Sequence, residues 1–159
     1  MTEEFDALRR AARGYCDIIE AVGEEEQGWL NKVIRILPRL HAAVSAILEL
    51  EKSGGGKPVE ANLEMRFSLF SKLHQLLGDK DAYWMEYDLG HEECRSGSLA
   101  DDLTDIYCEL KQGLHMLENE DADPDTVLLN WREGYKIHWG KHLLDAERHL
   151  YELSSRGNL

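Results

Sequence analysis

Apolar residues recur at steps of three and four along most of the chain, the spacing of one buried face on an α-helix. Thr2 is placed to cap a first helix whose core positions are Phe5, Leu8, Ala12, Tyr15, Cys16, Ile19 and Val22, with Gly23 as its stop. A second helix follows the acidic run Glu24, Glu25 and Glu26 and carries the widest apolar face: Trp29, Leu30, Val33, Ile34, Leu37, Leu40, Val44, Ile47 and Leu48. A face that wide predicts the central helix. Pro38 in its middle predicts a kink or a split, because proline lacks an N–H and its ring presses on the preceding turn. His41 falls inside the same arc and reads as a buried histidine bonded to a neighbour.

The stretch SGGGKP at 53–58 reads as a linker between helices. It lacks the spacing of a phosphate loop and follows a helix instead of a strand. A third helix is predicted over 60–77, with Leu63, Phe67, Phe70, Leu73 and Leu77 facing the core and Gly78 ending it. His74 adjoins that face. Residues 79–97 break the periodicity and read as a less regular loop or lid, with a short helical turn expected at 82–87. Ser98, followed three residues later by Asp101, resembles a capping box and opens a fourth helix with a narrow stripe of Leu99, Leu103, Ile106, Leu110, Leu114 and Leu117. After a short acidic turn, Asp123 and Pro124 start a last long helix over 124–155, with Leu128, Trp131, Tyr135, Trp139, Leu143, Ala146, Leu150 and Leu153 on its apolar face.

The pattern therefore predicts an all-α fold, a mostly antiparallel bundle of about five helices, as one domain over 1–159. The brief turn before Pro124 makes the last two helices antiparallel neighbours. That arrangement carries the candidate chemistry. At roughly 100° per residue, His138, His142, Asp145 and His149 share a strip about 60° wide on the edge of the last helix's apolar face. Asp102 and Asp105 of the fourth helix are then expected opposite His142, Asp145 or His149, and Glu109 opposite His138.

Two histidines one turn apart, with carboxylates facing them, form a candidate divalent-metal site of His138, His142, Asp145, Asp102 and Asp105. The sequence has neither H-E-x-x-H nor the Glu-x-x-His pair of carboxylate di-iron bundles. The alternative for the same residues is ionic and hydrogen-bonded pairing that fixes helix register.

Charge narrows the partners. Lys and Arg total 18 against 31 Asp and Glu, a formal net charge of −13, which repels a phosphate backbone or an anionic membrane and favours a basic protein or a cation. Cys16, Cys94 and Cys108 are odd in number and lack a C-x-x-C pairing, so neither a disulfide framework nor a zinc knuckle is expected. No export segment or membrane-length apolar run is visible, and a cytoplasmic location is the expectation. Tyr83, Trp84 and Tyr87, set among acids, are the candidate contact surface for a protein partner.

With these residues in view, DDLTDIYCELKQGL at 101–114 paired with WREGYKIHWGKHLLDAERHL at 131–150 resembles an uncharacterised bacterial family known only as a domain of unknown function. IRILPRLHAAV at 34–44 and the chain length fit the same family, so the resemblance covers nearly the whole chain. It implies a small helical bundle and supplies no activity, so no catalytic role is carried over. Three functions are expected from the residues themselves. The first is an acidic binding or adaptor domain that neutralises or regulates a basic partner. The second is a metal-dependent hydrolase with its site between the last two helices. The third is a structural homo-oligomer.

Overall fold

The computed structural model describes residues 2–23, 28–50, 62–86 and 94–159. Helix α1 spans Glu3–Ala21, and its first turn is capped by Thr2, whose hydroxyl accepts the Phe5 amide at 3.3 Å. Helix α2 spans Trp29–Ile47 and lies along α1, burying Trp29, Leu30, Val33, Leu37, Leu40, Val44 and Ile47. Pro38 neither ends nor divides it. One lost backbone bond costs less here than breaking a face buried on α1 and α6 at once.

Helix α3 spans Leu63–Leu77, three residues shorter at its start than the periodicity suggests, because the Asn62 side chain caps it by accepting the Met65 amide at 3.1 Å. The expected linker at 53–58 and the acidic run at 24–26 lie outside the described residues, as does Tyr87.

Segment 79–97 departs from the sequence reading. A single 3₁₀ turn at Gly78–Lys80 leads into a hairpin of β1, Ala82–Glu86, and β2, Cys94–Ser98, in place of the expected helical turn. The strands pair antiparallel with Tyr83 opposite Gly97, and any side chain at 97 would run into the Tyr83 ring. Glycine there lets the tyrosine lie across its partner strand. Tyr and Trp favour such a surface, and Asp81, the residue placed to cap a helix at 82–87, directs its carboxylate to the Ala100 amide and the Ser98 hydroxyl instead.

Helix α4, Leu99–Asn119, follows β2 directly and packs on α1, α3, α5 and α6. It, and not α2, is the central helix. Between Leu99 and Tyr107 only Asp101 escapes full burial, so the narrow apolar stripe underestimates how much of this helix is enclosed. Its start is held twice over. Ser98 accepts the Asp101 amide at 3.2 Å, and the buried Asp81 carboxylate accepts the Ala100 amide at 2.7 Å, the Ser98 hydroxyl and the His74 imidazole. Asp81 thus ties α3, the hairpin and α4 to one carboxylate.

Helices α5, Pro124–Gly134, and α6, Gly140–Ser155, are joined without a break by a π turn at Tyr135–Trp139. Its cause can be read in the spacing. Trp131, Tyr135, Trp139 and Leu143 are three successive steps of four, which over-rotate an α-helix by about 40° each, and one wider turn brings the face back into line. Gly140 makes that turn possible: its amide bonds the Tyr135 carbonyl, and a Cβ there would lie 2.5 Å from that oxygen.

The register between α4 and α5 is set where Gly113 meets Trp131. The indole of Trp131 fills the space a side chain at 113 would need, donates to the Glu109 carbonyl at 3.3 Å and stacks on Phe5. Gly113→Ala is expected to lower stability in urea unfolding by about 1–3 kcal/mol through overpacking. Gly14→Ala on α1, where the nearest atom is the flexible end of Ile36, is expected to leave stability unchanged or raise it by up to about 1 kcal/mol.

Candidate functional site

The exposed-looking acids of α4 are in fact enclosed at its N-terminal half. Asp102 and Asp105 are 3% and 7% exposed, a depth at which a carboxylate needs partners. The partners come from three other elements. His142, in the first turn of α6, directs Nδ1 at Asp102 Oδ1 at 2.7 Å and Nε2 at Asp105 Oδ2 at 3.1 Å. Tyr83 of β1 donates its hydroxyl to Asp102 Oδ2. Arg66 of α3 reaches Asp105 Oδ1 and Asp101 Oδ1, both at 2.8 Å.

His138 completes the group from the π turn. Its Nδ1 lies 3.1 Å from Glu109 Oε1 and its Nε2 3.8 Å from Asp105 Oδ2, with its ring edge-on to His142 at a centroid separation of 5.0 Å. Two imidazole Nε2 atoms therefore converge on one carboxylate oxygen, while each Nδ1 is held by a different carboxylate. Asp105, His138 and His142 can each offer a ligand atom within 4.8 Å of the others, and Asp101, Asp102 and His142 form a second such set on the Nδ1 side of the shared ring.

Ionised carboxylates only accept hydrogen bonds. An imidazole with both nitrogens against carboxylates is therefore either doubly protonated or bridged to one of them by a cation. The surroundings favour either outcome, since four acids, Asp101, Asp102, Asp105 and Glu109, gather here and Arg66 bonds two of them, Asp101 and Asp105. Burial alone would depress His142, but the hydrogen bond with Asp102 and the charges of Asp105, Asp102 and Asp101 raise it above its ordinary value. Burial also pushes Asp102 up, to about 6, against the opposing bonds from His142 and Tyr83. Tyr83 is pushed well above the ordinary tyrosine range, first by burial and then by the Asp102 bond.

The remaining expected residues fall elsewhere. Asp145 belongs to neither ligand set. It is pushed up by burial and lines a separate pocket of about 300 Å³ with Trp84, Arg148 and Glu152. Asp145 lies about one turn beyond His142 along α6, on the side of the hairpin. His149 there donates to the Lys80 carbonyl at 2.6 Å and packs on the Tyr83 ring at 4.7 Å. Of the expected contact aromatics, Trp84 stands 73% exposed, whereas Tyr83 turns inward to Asp102. His41 is half-buried and bonded to Glu147 Oε2 at 3.0 Å. Cys16 is a core residue whose thiol burial pushes up to about 12, and Cys108, half-buried, is pushed up to about 11. Neither resembles an activated thiol.

Arg66 and Asp81 are not singled out by the sequence, and Asp101 is read there only as part of a helix cap. The one available signal is Arg66 itself, a lone base within the apolar pattern of Leu63, Phe67 and Phe70, opposite an acid-rich helix.

The structure thus defines a helical bundle with a small hairpin and a His/Asp cluster where α4 meets α6, its aspartates Asp102 and Asp105 buried, His142 half-buried and His138 exposed. The chain belongs to a domain family of unknown function, DUF5063, which matches residues 1–156. Its fold is similar to the crystal structure of protein BF1032 from Bacteroides fragilis, with a TM-score of 0.74 and 20% identity over 96% of each chain. No curated protein matches. Among the described residues, no helix is long and apolar enough to cross a membrane.

The cluster gives stability a definite pH dependence. A raised His142 contributes stability that is complete below its ordinary value of 6.5 and is lost as pH rises through the folded value. Asp102, raised from 3.8 to about 6, binds its proton more tightly when folded, so its cost sets in above pH 3.8 and is complete once pH passes 6. Both contributions have the same sign. Urea unfolding from about pH 6.5 to 8.5 is expected to show stability falling with pH, by at most about 1.4 kcal/mol per unit for each proton involved. His142→Gln is expected to flatten that slope.

Proposed function

We propose that the protein binds a divalent transition-metal ion on Asp105, His138 and His142 and uses it for hydrolysis. The supporting observation is the convergence of both imidazole Nε2 atoms on Asp105 Oδ2, with Nδ1 of each ring steadied by Asp102 or Glu109. That is the arrangement in which an outer carboxylate fixes a ligand histidine's tautomer and raises its basicity. Ligand atoms of a tetrahedral zinc ion with bonds of about 2.0–2.1 Å lie about 3.3 Å apart, and the 3.1 and 3.8 Å separations bracket that spacing. Two imidazoles and one carboxylate suit zinc better than the hard cations, which prefer oxygen alone.

Three protein ligands leave a position for water, whose pKa a bound zinc ion lowers to about 7. Arg66 holds Asp105 Oδ1, which leaves Oδ2 as the single ligand oxygen and places a positive charge beside any developing oxyanion. Asp102 and Tyr83 keep His142 in place from behind.

Titration of metal-free protein with zinc is expected to show one tight site, proton release on binding and a melting temperature that climbs with zinc concentration. His138→Ala and His142→Ala should each weaken binding at least tenfold, and Asp145→Ala should not. A melting temperature indifferent to zinc, cobalt and manganese would contradict the reading.

A second reading, capture of a basic protein partner, is favoured by the exposed Trp84 on a chain of net charge −13. Its check is a low-salt pull-down that Trp84→Ala abolishes.

A further inference from the structure

Asp105 and His138 are also part of the wall of a groove of about 540 Å³ that runs between α3 and α4. Most of the surface that wall exposes is apolar, from Leu63 and Met65 on the α3 side and Cys108 and the side-chain stems of Lys111 and Gln112 on the α4 side, although Asn62 and His115 also line it. Leu63 and Met65 are 74% and 38% exposed at its lip, an apolar area that no other described residue covers. The two helices run antiparallel, because Arg66 meets Asp101 and Asp105 while His74, further along α3, meets Asp81 at the start of α4. The groove therefore extends from the cluster toward the C-terminal half of α4. From Asp105 to His115, at about 1.5 Å per residue, it is about 15 Å long.

We infer that this groove holds the acyl chain of a carboxylic-acid derivative, an ester or amide of medium length, with its carbonyl end at the Asp105, His138 and His142 cluster. Continuity decides the orientation. The one end of the groove that can bind a carbonyl-type oxygen through a metal is the end built from the cluster, and polar groups along the remainder are engaged elsewhere, Lys111 with Glu20 and His115 with Glu120. The volume lies within the range of small-molecule sites of about 300–1,000 Å³. The inference rests on the metal reading and names the substrate class of that same site.

Alkyl hydroxamates test it, since their head group ligates zinc and their tails report on the groove. Calorimetry of the zinc-loaded protein with aceto-, butyro-, hexano- and octanohydroxamate is expected to show affinity rising by up to about fourfold per methylene. Cys108→Trp and, at a more exposed position, Gln112→Trp should each remove the chain-length dependence while leaving zinc and acetohydroxamate binding unchanged. A flat series on zinc-loaded protein, or a series that survives both tryptophans in folded variants, overturns the groove assignment alone. Failure of the protein to take up zinc overturns the metal reading and this inference with it.

Discussion

Two carboxylates buried on the central helix are the constraint around which this fold is arranged. Leaving Asp102 and Asp105 at 3% and 7% exposure without partners would cost several kcal/mol, and removing one partner from such a pair is strongly destabilising. Satisfying them requires His142 from α6, Arg66 from α3 and Tyr83 from the hairpin at the same time. Three elements are thereby held to α4. The hydrophobic core supplies most of the driving force, but apolar faces slide and rotate more freely than charged groups with fixed directions.

The π turn belongs to the same logic. The run of four-residue steps from Trp131 to Leu143 keeps Trp131 and Trp139 in the core only if one turn widens, and the indole of Trp139 bonds the Trp131 carbonyl at 3.0 Å. Widening occurs at His138. Such turns often sit at functional sites, and this one brings a second imidazole beside His142 and over Asp105.

Much of this is legible in the residues. Periodicity locates all the long helices, and the short turn before Pro124 is enough to bring Asp102 and Asp105 to His142 and Glu109 to His138. What escapes the sequence does so for physical reasons. The hairpin depends on Tyr83 crossing Gly97, a pairing between residues fourteen apart that no local pattern announces. Asp145 shares a wheel sector with the histidines, but a wheel has no axial coordinate and cannot tell that the residue has moved on toward the hairpin. Arg66 and Asp81 act through long-range pairing alone. The central position of α4 is hidden because its apolar stripe is narrow and its aspartates, though expected at the seam with the last helix, do not show how deeply their partners let them be buried.

The acids and imidazoles can be satisfied by protons or by a metal ion, and the two outcomes differ in where the positive charge sits. Protons make His142 an imidazolium between Asp102 and Asp105. A metal takes the Nε2 side and leaves the Nδ1 hydrogen bonds in place, and the proposed hydrolysis requires this second arrangement. Anomalous scattering from crystals grown with zinc, recorded on either side of the zinc absorption edge, separates them most directly. A peak is expected within about 2.0–2.2 Å of Nε2 of His138, Nε2 of His142 and Oδ2 of Asp105. Crystals with no zinc peak at that point, or with one confined to Asp101 and Asp102 on the other side of the ring, would contradict it.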